Sequence, residues 1–151
     1  MTPASQPAEV LSTPDSAPRR VARPRADADV AAARRFAIEA ARLCHDLHCT
    51  EILVLDTRAV SPVSDFILIA NGTSDRQIRS VGDDVSKLGR EQGFARCRGE
   101  QDVRTTWLVM DFVDVVVHLF EPATRAHYDL EMMWGDVPRV DWRRPRDPME
   151  S

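Results

Sequence analysis

The chain has few cysteines, almost no lysine and no long apolar run. Cys44, Cys49 and Cys97 are its three cysteines, too few and too odd in number for a disulfide framework. No apolar stretch approaches the roughly 18–20 residues that span a bilayer, which excludes a helical membrane protein. The N-terminus lacks the uninterrupted apolar segment of a secretory signal. A reducing cytoplasm is therefore the expected compartment. Lys87 is the one lysine among 20 basic residues, a bias that suggests a GC-rich genome and carries no mechanism. No internal repeat is visible.

What is present suits one domain. The chain has 151 residues, 43% hydrophobic and 29% charged, enough for a single core of ordinary size. Charge is unevenly spread. Residues 1–26 carry a net +2 and residues 137–151 a net +1, so residues 27–136 hold −7 of the total −4. An acidic core argues against a generic phosphate-backbone binder and favours a basic partner. Eight of the ten prolines lie outside residues 27–136, among Ser, Thr, Ala and Arg. Both ends, 1–26 and 137–151, therefore read as disordered tails around a folded segment 27–136. The prolines also break the amphipathic helix that a transit peptide would need.

Within that segment, Asp27 or Asp29 is expected to cap a helix reaching about His48, with Ala33, Phe36, Ala40, Leu43 and Leu47 as its apolar stripe. Ile52–Leu55 and Phe66–Ala70 read as buried strands. Ser74 and Gln77 form a capping box for a second helix that carries Ile78, Val81, Val85 and Leu88 and stops at Gly93. Residues 95–98 read as a polar edge strand, and Trp107–Asp111 with Val115–Phe120 as a hairpin. A last helix is expected from about Thr124 to before Gly135. The expected fold is α/β: a single compact domain with a mixed five-stranded sheet and about three helices.

Three groups of residues invite chemistry. Cys44-His45-Asp46-Leu47-His48-Cys49 offers four soft ligands, but on a helix only Cys44 with His48, or His45 with Cys49, share a face. Four such residues on a continuous helix cannot surround one tetrahedral zinc. Asp65, Asp111 and Asp114 lie at strand ends, where carboxylates can hold magnesium for nucleotidyl transfer. The strand with alternating carboxylates that this chemistry requires does not follow Gly72-Thr73-Ser74. That turn also lacks the further glycines and lysine of a phosphate-binding loop. No metal, cofactor or catalytic residue is assigned.

The hairpin is more informative. With Phe112 and Val113 in the turn, Asp111 faces Asp114, Val109 faces Val116, and Trp107 faces His118. Alternation puts Trp107, Val109, Val116, His118 and Phe120 on one face, and Leu108, Met110, Val115, Val117 and Leu119 on the other. The second set is wholly aliphatic and suits the core. The first has a Trp, a His and a carboxylate end at Asp111 and Asp114, a composition that fits an interface anchor or a second core face.

Asp56, Ser61-Pro-Val-Ser-Asp-Phe66, Ala70-Asn-Gly-Thr-Ser74, Arg76-Gln77, Trp107-Leu-Val-Met-Asp111, Asp114-Val-Val-Val-His-Leu-Phe120 and Tyr128-Asp-Leu-Glu-Met-Met-Trp-Gly-Asp136 together resemble the ribosomal silencing factor, or Iojap, family. The resemblance spans residues 28–137. It implies a nucleotidyltransferase-like core without established catalysis. It also implies binding to the large ribosomal subunit, through ribosomal protein fourteen of that subunit, at the face where the small subunit docks. Subunit joining would be blocked and translation repressed. The resemblance places Trp107, Val109, Asp111, Val116 and His118 on the partner face, with Tyr128 and Glu131 from the terminal helix motif. Trp134 of that motif is assigned to packing. Ribosomal RNA contact and a homodimer are compatible with it, as is an RNA-binding assembly factor using the Arg-rich tails. Phe112-Val113 departs from the glycine that relatives often carry in this turn.

Overall fold

The computed structural model describes residues 26–94, 106–128 and 135–145, with the side chains of 126–128 left aside. Helix α1 spans Asp27–Asp46, followed by strands β1 (Thr50–Asp56) and β2 (Phe66–Asn71). Helix α2 covers Asp75–Glu91, and β3 (Trp107–Asp111) and β4 (Val115–Phe120) precede α3 (Pro122–Tyr128). Among the described residues the sheet has four strands in the order β1-β2-β4-β3. β2 pairs parallel with β4, while the β1–β2 and β3–β4 pairs are antiparallel. The domain is thus α/β with a mixed sheet. The strand expected at 95–98 lies outside the described residues.

β2 is buried along its whole length, as its continuous apolar run requires of a central strand. On the inner face Phe66, Leu68, Val115, Val117, Leu108 and Met110 pack against α1 and α2 in one cluster. Most of the expected helical stripes are there: Ala33, Phe36 and Ala40 from α1, and Ile78, Val81 and Val85 from α2, are buried. Leu43, Leu47 and Leu88 border the cluster, partly buried.

The helix ends differ from expectation in part. α1 starts after Ala26, which makes no side-chain cap, and Asp27 and Asp29 fall inside its first turn, where they complement the dipole instead. α2 is capped by Ser74, whose hydroxyl accepts from the Gln77 amide at 3.1 Å. The reciprocal half of the box shifts by one residue: Gln77 Oε1 accepts from the amide and hydroxyl of Thr73. α3 opens at Pro122 rather than Thr124, because a proline at the first helical position loses no hydrogen bond.

Both long helices end in the same way. In α2 the Phe94 amide donates to Gly89 and the Gly93 amide to Arg90, with Gly93 at φ +86°. In α1 the Cys49 amide donates to Cys44 and the His48 amide to His45, with His48 at φ +74°. These are paired Schellman bonds around a left-handed residue. Gly89 also allows close approach, since a Cβ there would lie 2.7 Å from the Phe94 carbonyl and 2.9 Å from the Phe112 ring.

One expectation needs correction. β1 stands at the edge of the sheet, with Val54 and Leu55 buried in one cluster each, Ile52 and Leu53 partly buried, and Thr50 and Glu51 before them exposed. The segment expected to be a disordered tail supplies its cover. Residues 138–140 run beside β1, with the Asp56 amide donating to Pro138 and the Val140 amide to Val54 at 2.8 Å. Val140 and Trp142 are buried in the main cluster. Arg42 Nε donates to the Trp142 carbonyl at 2.6 Å, and Arg144 grips the Asp46 carboxylate with two bonds. Proline suits this position because an edge segment needs only its carbonyl there. The folded segment therefore continues past residue 136.

Candidate functional site

β3 and β4 present alternating burial, which separates two faces of the sheet. The residues turned from the helices are Trp107, Val109 and Asp111 on β3, and Val116 and His118 on β4, all partly buried. The five hairpin residues singled out from the sequence thus share one face. Phe120 joins them but is fully buried, in a small cluster with Leu55, Ile67 and Ile69 that Leu53, Trp107 and Val137 border. The β1 and β2 members of this cluster were not anticipated. Their signal was hidden inside continuous apolar runs, which do not reveal which residues share a face.

The register differs from expectation by two residues. Asp111 pairs with Val116, Val109 with His118, and Trp107 with Phe120. The Phe112 amide donates to Val115, so Val113 and Asp114 form the turn. Phe112 is drawn out of the turn because its ring is worth more in the core, where it meets Phe36 edge-on at 5.0 Å. A shift of two leaves every side chain on its original face, so the face assignment survives the error.

Local chemistry then fixes the individual groups. Trp107 Nε1 donates to His118 Nδ1 at 3.1 Å, and the Trp107 ring lies 5.0 Å from that of Phe120. His118 stacks on Phe120 at 6.0 Å. An Nδ1 that accepts a hydrogen bond belongs to a neutral imidazole with its proton on Nε2. Burial agrees, pushing the His118 pKa down to about 4. Asp111 is turned to local work: its Oδ1 accepts from the Val113 amide at 2.7 Å and closes the turn, in which Val113 adopts φ +77°. Tyr128 closes α3, and Glu131 and Trp134 lie outside the described residues.

The other candidates separate. Among the described residues, no three His, Cys, Asp or Glu side chains are grouped to hold a metal ion. Asp65 is buried, with its amide donating to the Asp114 carbonyl at 2.8 Å. α1 ends at Asp46, so Cys44 and His48 no longer share a helical face, and Cys44 instead meets Cys49. No described helix is long and apolar enough to cross a membrane.

Residues 30–151 match the sequence profile of a family described as "Ribosomal silencing factor during starvation". The ribosomal silencing factor RsfS of Bacillus subtilis is 36% identical over 102 residues, covering 68% of this chain and 86% of that protein. RsfS of Halalkalibacterium halodurans is 35% identical over 96 residues, covering 64% and 82%. A crystal structure of a Chromobacterium violaceum protein superposes with a TM-score of 0.63 at 32% identity, over 70% of this chain and 86% of that one. With its profile match over most of its length, the chain belongs to the ribosomal silencing factor family.

Proposed function

We propose that this protein binds the large ribosomal subunit through ribosomal protein fourteen of that subunit, and so keeps the small subunit from joining. Translation is repressed by occupation of a docking surface, in the cytoplasm, without catalysis. The observation that carries this reading is the row of partly buried side chains, Trp107, Val109, Asp111, Val116 and His118, on the sheet face turned from both long helices. Trp107 supplies large apolar area with its one polar atom already bonded, the character of an anchor residue. The acidic segment 27–136 suits a basic ribosomal protein. Tyr128 and Glu131 extend the contact in this reading, and the core is nucleotidyltransferase-like.

The test is subunit association on a sucrose gradient. Purified protein is mixed with large subunits, small subunits are added, and wild type is compared with Trp107→Ala after its fold is checked by circular dichroism. Wild type should sediment with large subunits and keep them apart from small ones. Truncating the anchor should cost about 2 kcal/mol or more, roughly 30-fold in affinity, and restore joining. A wild-type protein that neither co-sediments nor slows joining overturns the proposal.

A further inference from the structure

The cysteine–histidine run at the end of α1 plays no part in the proposed contact. Its geometry follows from the Schellman ending, in which the third residue from the helix end touches the second residue beyond the cap. Here those two residues are Cys44 and Cys49. The Cys49 amide donates to the Cys44 carbonyl at 2.9 Å, and His48, at φ +74°, turns the chain back on itself. Within a helix, residues five apart would not meet; this turn brings the two side chains together, close enough for each thiol to shift the other's ionisation. Cys44 is fully buried, and Cys49 is 5% exposed. Cys49 also lines an open groove of ≈ 980 Å³ between β1 and the C-terminal segment, together with His45, His48 and Trp142. A small reagent therefore has an approach to Cys49 and none to Cys44.

We propose that Cys44 and Cys49 form a reversible dithiol–disulfide site, oxidised by low-molecular-weight disulfides, that cross-links the end of α1 to the start of β1. With oxidised glutathione, the Cys49 thiolate attacks one glutathione sulfur and breaks the glutathione S–S bond. One glutathione thiolate leaves and takes up the proton that Cys49 lost. The Cys44 thiolate then attacks Cys49 Sγ, forms the protein S–S bond and expels the second glutathione, which takes the Cys44 proton. Two protein thiols are oxidised and one glutathione disulfide is reduced to two thiols.

The assignment of roles has physical support. The neighbouring Cys44 thiol lowers the Cys49 pKa against the opposing effect of burial. The Cys49 thiol, with burial, raises the Cys44 pKa well above its ordinary value. Cys49 is thus the attacking thiol and Cys44 the resolving one. The competing explanation is that two small side chains merely fill the hydrophobic contact of the helix end, which any apolar pair could do.

The full chain carrying Cys97→Ser, with only this pair left, separates the two. After incubation with oxidised glutathione and denaturing alkylation, it should have lost about 2 Da, its two thiol hydrogens, and take up no alkylating agent. Dithiothreitol should restore both thiols. Cys44→Ser in the same background should accumulate glutathione on Cys49, because no resolving thiol is present. Peptide mapping of the oxidised wild-type chain serves as a second measurement should Cys97→Ser not fold, and should recover Cys44 joined to Cys49. The proposal is overturned if both thiols remain alkylatable, if Cys97→Ser stops at a stable glutathione adduct, or if mapping finds cross-links only through Cys97.

Discussion

His118 makes the candidate face sensitive to pH. Its Nδ1 accepts from Trp107 Nε1, so protonation at that atom destroys the bond and places a charge beside Phe120 and Trp107. Burial sets the folded-state pKa at about 4, against 6.5 for the ordinary side chain. Between these values the unfolded chain binds the extra proton and the folded chain does not. The stabilisation is complete above pH 6.5 and declines as pH falls towards 4, the sign for a depressed folded pKa. The linkage relation gives a loss of about 2 kcal/mol between pH 7 and pH 5, and a ceiling of about 3 kcal/mol below pH 4.

His118→Asn tests this without removing the acceptor, since an amide oxygen can take the place of Nδ1 and does not titrate. Urea denaturation of both proteins at pH 7 and pH 5 provides the comparison. Wild type should lose about 2 kcal/mol more than the variant over that interval. The difference isolates His118 from carboxylates such as Asp56 and Asp46, whose pKa values are lowered by bonds to Arg58 and Arg144. A histidine ring resonance absent from the variant should titrate in folded wild type with a midpoint near 4. Equal pH dependence in the two proteins, or a midpoint near 6.5, would refute the assignment.

Two further perturbations address the frame that holds this face. Val113→Gly should raise stability by about 1 kcal/mol in thermal denaturation, because a β-branched residue stands at φ +77° in the hairpin turn. A fall would mean that the valine side chain contributes packing that outweighs its backbone strain. Trp142→Ala should cost about 3 kcal/mol by emptying a buried site and removing the bond to the Ile52 carbonyl. Hydrogen exchange should then speed up at the Asp56 and Val140 amides, which hold the C-terminal segment to β1; unchanged protection would show that the segment is anchored elsewhere.

Local signals were the most legible in the sequence. Ser74 and Gln77 announce the start of α2, and the alternation through Trp107–Asp111 and Val115–Phe120 separates a core face from an outer one. What failed depends on contacts remote in sequence. The Phe112 position in the turn was misjudged by one residue because Phe36, its partner in the core, lies 76 positions earlier. The C-terminal segment was misjudged because Arg and Pro dominate its composition, while Val140 and Trp142 alternate as an edge strand would. Pro138, counted as a sign of disorder, uses only the carbonyl that β1 requires of it. Which β1 and β2 residues join the Trp107 face was hidden for a further reason: a strand apolar on both sides has no alternation to read.

The Trp107–His118 pair joins the stability of the hairpin to the contact proposed for it. An exposed indole that anchors a partner must give up water around its N–H, and an unpaired N–H buried in an interface costs about 1–3 kcal/mol. Here the N–H already donates to His118 in the free protein, so docking would bury a satisfied group and a ring held in one orientation. Preorganisation of this kind saves the side-chain ordering that association otherwise requires. It also separates two roles within one pair. Trp107 offers area to the partner, whereas His118 holds Trp107 and is a positioning residue. His118→Asn should then retain large-subunit binding at pH 7, while Trp107→Ala should lose it. Loss of binding in a folded His118→Asn protein would instead place the imidazole, through Nε2, in direct contact with the partner.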